Sequence, residues 1–210
     1  MFRVTGTHQC QRLRLEYEMY KKVSFIAEGL TPTIMHNGRL ANPLNEIVKQ
    51  MKVITAKRKK TDQDTEDLMK LEWFGGLYLD DKGRPCWPGE CIEAGLITAA
   101  KRNNLGKVFK AGMVCDGLWP IKYEGPKDME KLYLDSNFVD FRKARVGTAS
   151  IMRTRPIFRA WSLAFDVDYM PEMLNESQVI AAAKDLGVYV GLSDNRPRYG
   201  KYEITSSKAA

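Results

Sequence analysis

Nine consecutive residues restrict the folds open to this chain more than any other stretch. In Trp161-Ser162-Leu163-Ala164-Phe165-Asp166-Val167-Asp168-Tyr169, a large apolar side chain stands at every second position. Side chains alternate across a strand with a period of two. Trp161, Leu163, Phe165, Val167 and Tyr169 therefore share one face, and Asp166 and Asp168 the other. Such a strand belongs to a sheet covered on one side only.

The material for the cover is close by. Asn175-Glu176-Ser177-Gln178 reads as a capping box, with Leu174 and Val179 placed to staple the helix start. Val179, Ile180, Ala183 and Leu186 form its buried face, and Gly187 is expected to stop it. Trp87-Pro88-Gly89-Glu90 opens another helix, with Cys91, Ile92, Gly95, Leu96 and Ala99 on one face and an end between Asn103 and Gly106. Asn42-Pro43 reads as a third helix start, because Asn caps well and Pro suits the first helical position. Leu44, Ile47, Val48, Met51 and Ile54 follow at helical spacing. Lys49, Lys52, Lys59 and Lys60 fall opposite them if the helix runs that far. A further helix spans Asp62–Phe74 and ends at Gly75-Gly76.

Leu13–Tyr17 alternates apolar with charged residues and reads as an early strand, and Val23–Ala27 as another. Thr31–Gly38 is a short extended run closed by Asn-Gly. Leu77–Leu79 reads as a short strand followed by a turn at Asp80–Gly83. Phe109 to Asp168 is mostly β in pattern. Gly191–Arg198 reads as a polar loop, and Tyr199–Ile204 as the last strand. Strand, helices, strands, helix, strand is the order of an α+β protein. Its natural core is ferredoxin-like, a split βαβ with an antiparallel sheet and an inserted helical/β subdomain. One domain over 1–210 is expected, with 42–76 as a helical insertion or arm and 205–210 as a flexible tail.

At 210 residues and 44% hydrophobic, the chain can bury a full core. Its net charge of +7 favours an anionic partner. No run of about 18 apolar residues is present, so no membrane span is expected. Met1–Thr5 lacks an apolar signal core, and Cys10, Cys86, Cys91 and Cys115 form no CxxC pair. Free thiols in a cytoplasmic protein fit this pattern.

Two basic blocks contain no acid. One holds Lys49, Lys52, Lys57, Arg58, Lys59 and Lys60; the other holds Arg142, Lys143, Arg145, Arg153, Arg155 and Arg159. Phosphates need cations, and the Arg fork matches their oxygens. A solvated helix face would also explain the first block. Pairing with the acids of Asp62–Glu72, or with the acidic strand face, would explain the second. Phe141, Phe158 and Tyr199 lie beside these charges and are base-stacking candidates. Trp161 fits the core better. Gly191–Gly200 combines glycines with Arg196 and Arg198, and glycine lets backbone N–H groups approach an anion.

Catalytic signals are thin. His36, beside Asn37 and Arg39, is the weak candidate for a general base in RNA cleavage. Asp140, Asp166 and Asp168 could hold Mg²⁺. Cys86 and Cys91 with Cys115 or His36 have poor spacing for zinc. The reading taken is no catalytic residue, no metal and no cofactor.

Two stretches carry a family resemblance. Gly83–Ala94, with Trp87-Pro88-Gly89 leading into a helix, resembles the helix start of RAMP-superfamily proteins, which include CRISPR backbone subunits. Gly187–Ile204, with Gly191 and Arg196-Pro197-Arg198-Tyr199-Gly200, is similar to that superfamily's C-terminal glycine-rich loop. The resemblance implies a ferredoxin-like core, single-stranded RNA or DNA binding, and head-to-tail homo-oligomers or filaments along the strand. It maps binding to Pro88-Gly89 and to Arg196–Gly200. Glu90 departs from the pattern, which usually has Ser there, and so weakens a phosphate contact. The chain is also similar to compact phage-encoded relatives. Two other functions remain open at this point: a RAMP-type RNA endonuclease with His36 as base, and a phage structural or scaffold protein assembling through complementary charged faces.

Overall fold

The computed structural model describes residues 19–146 and 149–209. The expected strand Leu13–Tyr17 lies outside them, as do His8 and Cys10. The elements in chain order are β1 (Lys21–Gly29), β2 (Thr33–Ile34), α1 (Glu46–Thr55), α2 (Asp62–Gly76), β3 (Cys86–Pro88), α3 (Gly89–Ala100), α4 (Gly106–Gly112), β4 (Met113–Val114) and β5 (Leu118–Lys122). They continue as α5 (Met129–Leu134), β6 (Val139–Val146), β7 (Ala149–Phe158), β8 (Ser162–Tyr169), α6 (Glu176–Asp185) and β9 (Tyr202–Ala209).

The fold is α+β with antiparallel sheets. The larger sheet runs β3-β5-β8-β1-β9, with β4 also on β8. Two helices each link strands that are not neighbours. The path from β1 reaches β5 through α3, with β8 between them, and the path from β8 reaches β9 through α6, with β1 between them. The alternation of β8 becomes burial: Leu163, Phe165, Val167 and Tyr169 are buried, while Ala164 is exposed. Phe25 of β1 stands directly opposite Phe165, with ring centroids 5.2 Å apart, a cross-strand pair that pins the register. This face shares one core with Ile92, Leu96 and Ala99 of α3 and with Val179, Ala182 and Ala183 of α6.

A smaller sheet runs β2-β7-β6. Beneath it lies an aromatic cluster in which Tyr123, Phe138 and Phe158 meet at 5.0–5.9 Å. Trp73 of α2 joins it by donating Nε1–H to the Phe138 carbonyl at 2.9 Å.

Several elements differ from the sequence reading. The third helix starts at Glu46, because Asn45 is its cap: the Asn45 side chain accepts from the Ile47 N–H. Asn42 instead holds the Leu44 N–H in the preceding turn. That helix ends at Thr55, so Lys57–Lys60 lie on the connector to α2 and not on a helical face. Thr61 and Asp64 then form a capping box that starts α2 afresh. Leu77–Leu79 makes only an isolated bridge, Leu79 to Pro85. Phe109 sits in α4, and a second short helix, α5, interrupts the expected β region. Gly187 does not end α6. A wide turn, Leu186–Val190, follows the helix, and Gly191 leaves it at φ +82°. Gly187 is needed for another reason: a Cβ there would lie 2.3 Å from the Tyr202 carbonyl oxygen. In place of a tail beyond Thr205, β9 runs to Ala209 and pairs with β1 as far as Val23.

Candidate functional site

The second basic block does not form one cationic track. In the β6–β7 register, Asp140 faces Arg155 and Arg142 faces Arg153, which puts these four on one side of the hairpin. Phe141 and Lys143 lie on the other side, opposite Thr154 and Met152. Arg145 holds a register position opposite Ser150. Carboxylates from three elements neutralise three of the arginines. Arg142 donates to Asp140 and to the Tyr199 hydroxyl. Arg153 pairs with Glu72 of α2, whose other oxygen accepts the Thr154 N–H at 2.9 Å. Arg155 pairs with Asp194 at 2.7 Å. Arg159 donates Nε–H to the Asn137 carbonyl at 3.1 Å.

The stacking candidates separate in the same way. Phe158 has no exposed surface and belongs to the core, so a base cannot reach it. Phe141 is 50% exposed. The Tyr199 ring lies beneath the Arg142 guanidinium, 4.8 Å from its centroid. In the first block, Lys49 pairs with Glu46, and Lys57 with Asp64. Lys52, Arg58, Lys59 and Lys60 are exposed around the end of α1 and the connector. The acids suggested for Mg²⁺ lie apart: Asp140 is on β6, whereas Asp166 and Asp168 both face Lys22 at 3.6 Å across the larger sheet. Burial raises the Cys86 and Cys115 thiols to about 12. Among the described residues no group of three or more His, Cys, Asp or Glu is placed to hold a metal. No described helix is long and apolar enough to cross a membrane.

What the fold does bring together are the two motif stretches and His36. They line a cleft of about 340 Å³ walled by His36, Tyr78, Trp87, Glu90, Cys91, Ala94, Leu192, Ser193, Asp194 and Arg196. Its two walls are built by close backbone approach. At the start of α3 the Gly89 N–H donates to the Gly117 carbonyl at 2.8 Å, and a Cβ on Gly89 would lie 1.9 Å from the Cys115 oxygen. In the opposite loop, Gly200 adopts φ +76° with a Cβ position 2.2 Å from the Leu192 oxygen, so only glycine fits there.

The loop is laced to the segment around β2. Thr33 Oγ1–H donates to the Leu192 carbonyl at 2.6 Å, and the Asp194 N–H to the Ile34 carbonyl at 2.9 Å. The Gly200 N–H reaches the Pro32 carbonyl at 2.8 Å. This lacing is what sets His36 beside the loop. Ser193 of the marked loop lines the cleft, and so does Tyr78, which no local pattern in the sequence marks. Tyr78 donates its hydroxyl to the His36 carbonyl at 3.3 Å, and burial raises its pKa to about 12. Desolvation pulls His36 below its ordinary value, with Arg155 and Arg153 acting the same way and Asp194 opposing. The imidazole is therefore neutral at neutral pH, able to accept a proton or a hydrogen bond.

No family model and no curated protein matches the chain. Among solved structures, it is similar to a chain of the Type III-B Cmr-beta complex bound to cognate target RNA. The match has 10% identity, covers 99% of this chain and 68% of that one, and has a TM-score of 0.46. It is also similar to Csc2 of Thermofilum pendens, with 10% identity over 100% and 71% of the two chains and a TM-score of 0.33. Likeness at this level carries no functional argument.

Proposed function

We propose that this chain is a non-enzymatic, single-stranded nucleic-acid-binding protein with a RAMP-like, ferredoxin-like core. The observation that carries the reading is the cleft. Two motif stretches remote in sequence meet there with Arg196 and the rings of His36 and Tyr78. Its volume lies at the lower end of the range for small-ligand pockets and suits one nucleotide. The ring edges can receive a base, and Arg196 a phosphate. Glu90 sits in the first turn of α3 and the Gly89 N–H is already engaged, so the phosphate falls to Arg196 and not to the helix terminus. The path β1-α3-β5 and β8-α6-β9, each crossing one intervening strand, supports the split βαβ reading. Exposed Lys52, Arg58, Lys59 and Lys60 add attraction at longer range. Assembly of copies along the strand belongs to the same proposal; among the described residues β9 is an edge strand of the larger sheet and offers backbone for it.

The test is fluorescence anisotropy with single- and double-stranded RNA and DNA across salt, with particle size followed in parallel. Single strands are expected to bind, with a log–log salt slope of about −0.7 per neutralised phosphate. Arg196→Ala is expected to weaken binding without changing the fold. Absence of binding at low salt, or an affinity indifferent to salt, overturns the proposal.

One observation favours a cleaving variant: a neutral His36 faces the same cleft, with protonated Tyr78 nearby. RNA that is cut by the wild type and left intact by His36→Ala would establish it. Cutting that survives His36→Ala removes His36 as its base.

A further inference from the structure

Ala94 lines two concavities. One is the cleft just described; the other, of about 760 Å³, is walled by residues that include Ala94, Thr98, Lys101, Gly106, Lys107 and Lys110. Both lie along one exposed stripe that runs from α3 to its C-cap, since Glu90, Ala94, Thr98 and Lys101 recur at helical spacing. The second concavity contains three lysines and no carboxylate. The neighbouring Arg102, by contrast, is engaged by Asp185 at 3.9 Å and by the Tyr189 ring at 3.6 Å.

The bend that gathers these lysines is built into the backbone. A short 3-10 turn, Lys101–Asn103, ends at Asn104 in the left-handed region with φ 60°. Gly106 follows, where a Cβ would lie 2.6 Å from Lys101 Cγ. Lacking that atom, the turn closes against the Lys101 stem and brings α4, with Lys107 and Lys110, round the same hollow. Like charges grouped in this way repel one another unless an anion joins them.

We infer that the Lys101–Lys107–Lys110 hollow is a second phosphate subsite, which holds the backbone of the same single strand as it leaves the first cleft along α3. The inference rests on the nucleic-acid reading and extends it by giving the strand a direction and a footprint. From Glu90 to Lys101 the helix covers about 16 Å at 1.5 Å per residue, a few nucleotides of extended chain. The first cleft takes a base and one phosphate; the second hollow, without aromatic rings, takes phosphates alone and is indifferent to sequence.

The test uses the full chain and fluorescent homopolymeric oligonucleotides of about 4 to 16 nucleotides. Wild type is compared with Arg196→Ala and with the triple variant Lys101→Gln/Lys107→Gln/Lys110→Gln. All three lysines are exposed, and circular dichroism checks that the fold is kept. Wild-type affinity is expected to rise with length until both sites are spanned. The triple variant is expected to match wild type on the shortest strands, to lose the gain with length, and to lose about 2 from the magnitude of the salt slope on long strands. Arg196→Ala is expected to weaken every length. A triple variant that matches wild type at all lengths overturns the subsite. A uniform loss at every length, the shortest included, also overturns it and assigns the lysines to general attraction. A wild type that binds no strand of any length overturns the nucleic-acid reading itself and this inference with it.

Discussion

Glu72 shows how a single carboxylate decides what an arginine can do. It is buried on α2 and is shared between Arg153 and the Thr154 N–H. Glu72→Ala removes both and leaves the Arg153 cation without its carboxylate, opposite Arg142 across the hairpin. Loss of one partner from a buried pair costs about 3–5 kcal/mol. The Arg153 side chain is 30% exposed and can regain water, so about 2–3 kcal/mol is expected from urea unfolding. Asp64 makes a prediction about acid. The Lys57 ammonium, then the Thr61 backbone N–H, hold its carboxyl at about 2, below the ordinary 3.8. The unfolded chain takes up the proton first as pH falls, so stability present above 3.8 drains away between there and about 2. Asp64→Asn is expected to lose that part of the pH–stability profile and leave the rest unchanged. His36 works on a different interval. Its folded value lies below 6.5 through desolvation, so stability begins to fall as the pH drops below 6.5 and the unfolded imidazole protonates. His36→Gln is expected to flatten that segment.

At the scale of elements, local signals were read well wherever local chemistry decides. The alternation from Leu163 to Tyr169 became the inner face of β8, and Asn175 with Gln178 became the capping box of α6. Pro88-Gly89 did open a helix. Where a partner far along the chain decides, the sequence leaves alternatives open, pairing of the second basic block with the acids of Asp62–Glu72 among them. Which side of the hairpin carries Arg142 and Arg153 depends on strand register, and their counter-charges come from Glu72 on another element and from the adjacent Asp140. Phe158 looked like a neighbour of charge, yet it ends β7 over Tyr123 and Phe138 and is core. The cleft was half legible: both motif stretches were singled out, but their meeting with His36 depends on the hydrogen bonds to Pro32, Thr33 and Ile34. Glycine substitutions test this architecture. Gly89→Ala would drive a methyl group into the Cys115 carbonyl and is expected to cost more than 2 kcal/mol in thermal or urea unfolding, within the range of overpacking. Gly38→Ala meets nothing within 4 Å and is expected to stay within about 0.5 kcal/mol of wild type.

Across the whole molecule the net charge of +7 is not spread evenly in its effect. Arg142, Arg153 and Arg155 are held in internal pairs, so they contribute to folding more than to long-range attraction. Lys52, Arg58, Lys59 and Lys60 stand in solvent. Replacing these four with Gln is expected to reduce the salt slope for single strands by up to about 3 with unfolding midpoints unchanged. Arg155→Ala is expected to differ by lowering stability, because it strands Asp194 without its partner. Anisotropy and urea titration on the same two variants separate the roles.

The lacing of the glycine-rich loop onto the segment around β2 also sets an order of events. Residues 31–36 and 192–201 form the two sides of that seam, so contacts far apart in sequence finish the cleft, and folds that rest on such contacts form slowly. During synthesis, α3, the turn after it and α4 leave the ribosome well before Arg196 and Gly200 do. A chain made only as far as α4 thus has one wall of the cleft, and the other closes on it once residues 192–201 have followed.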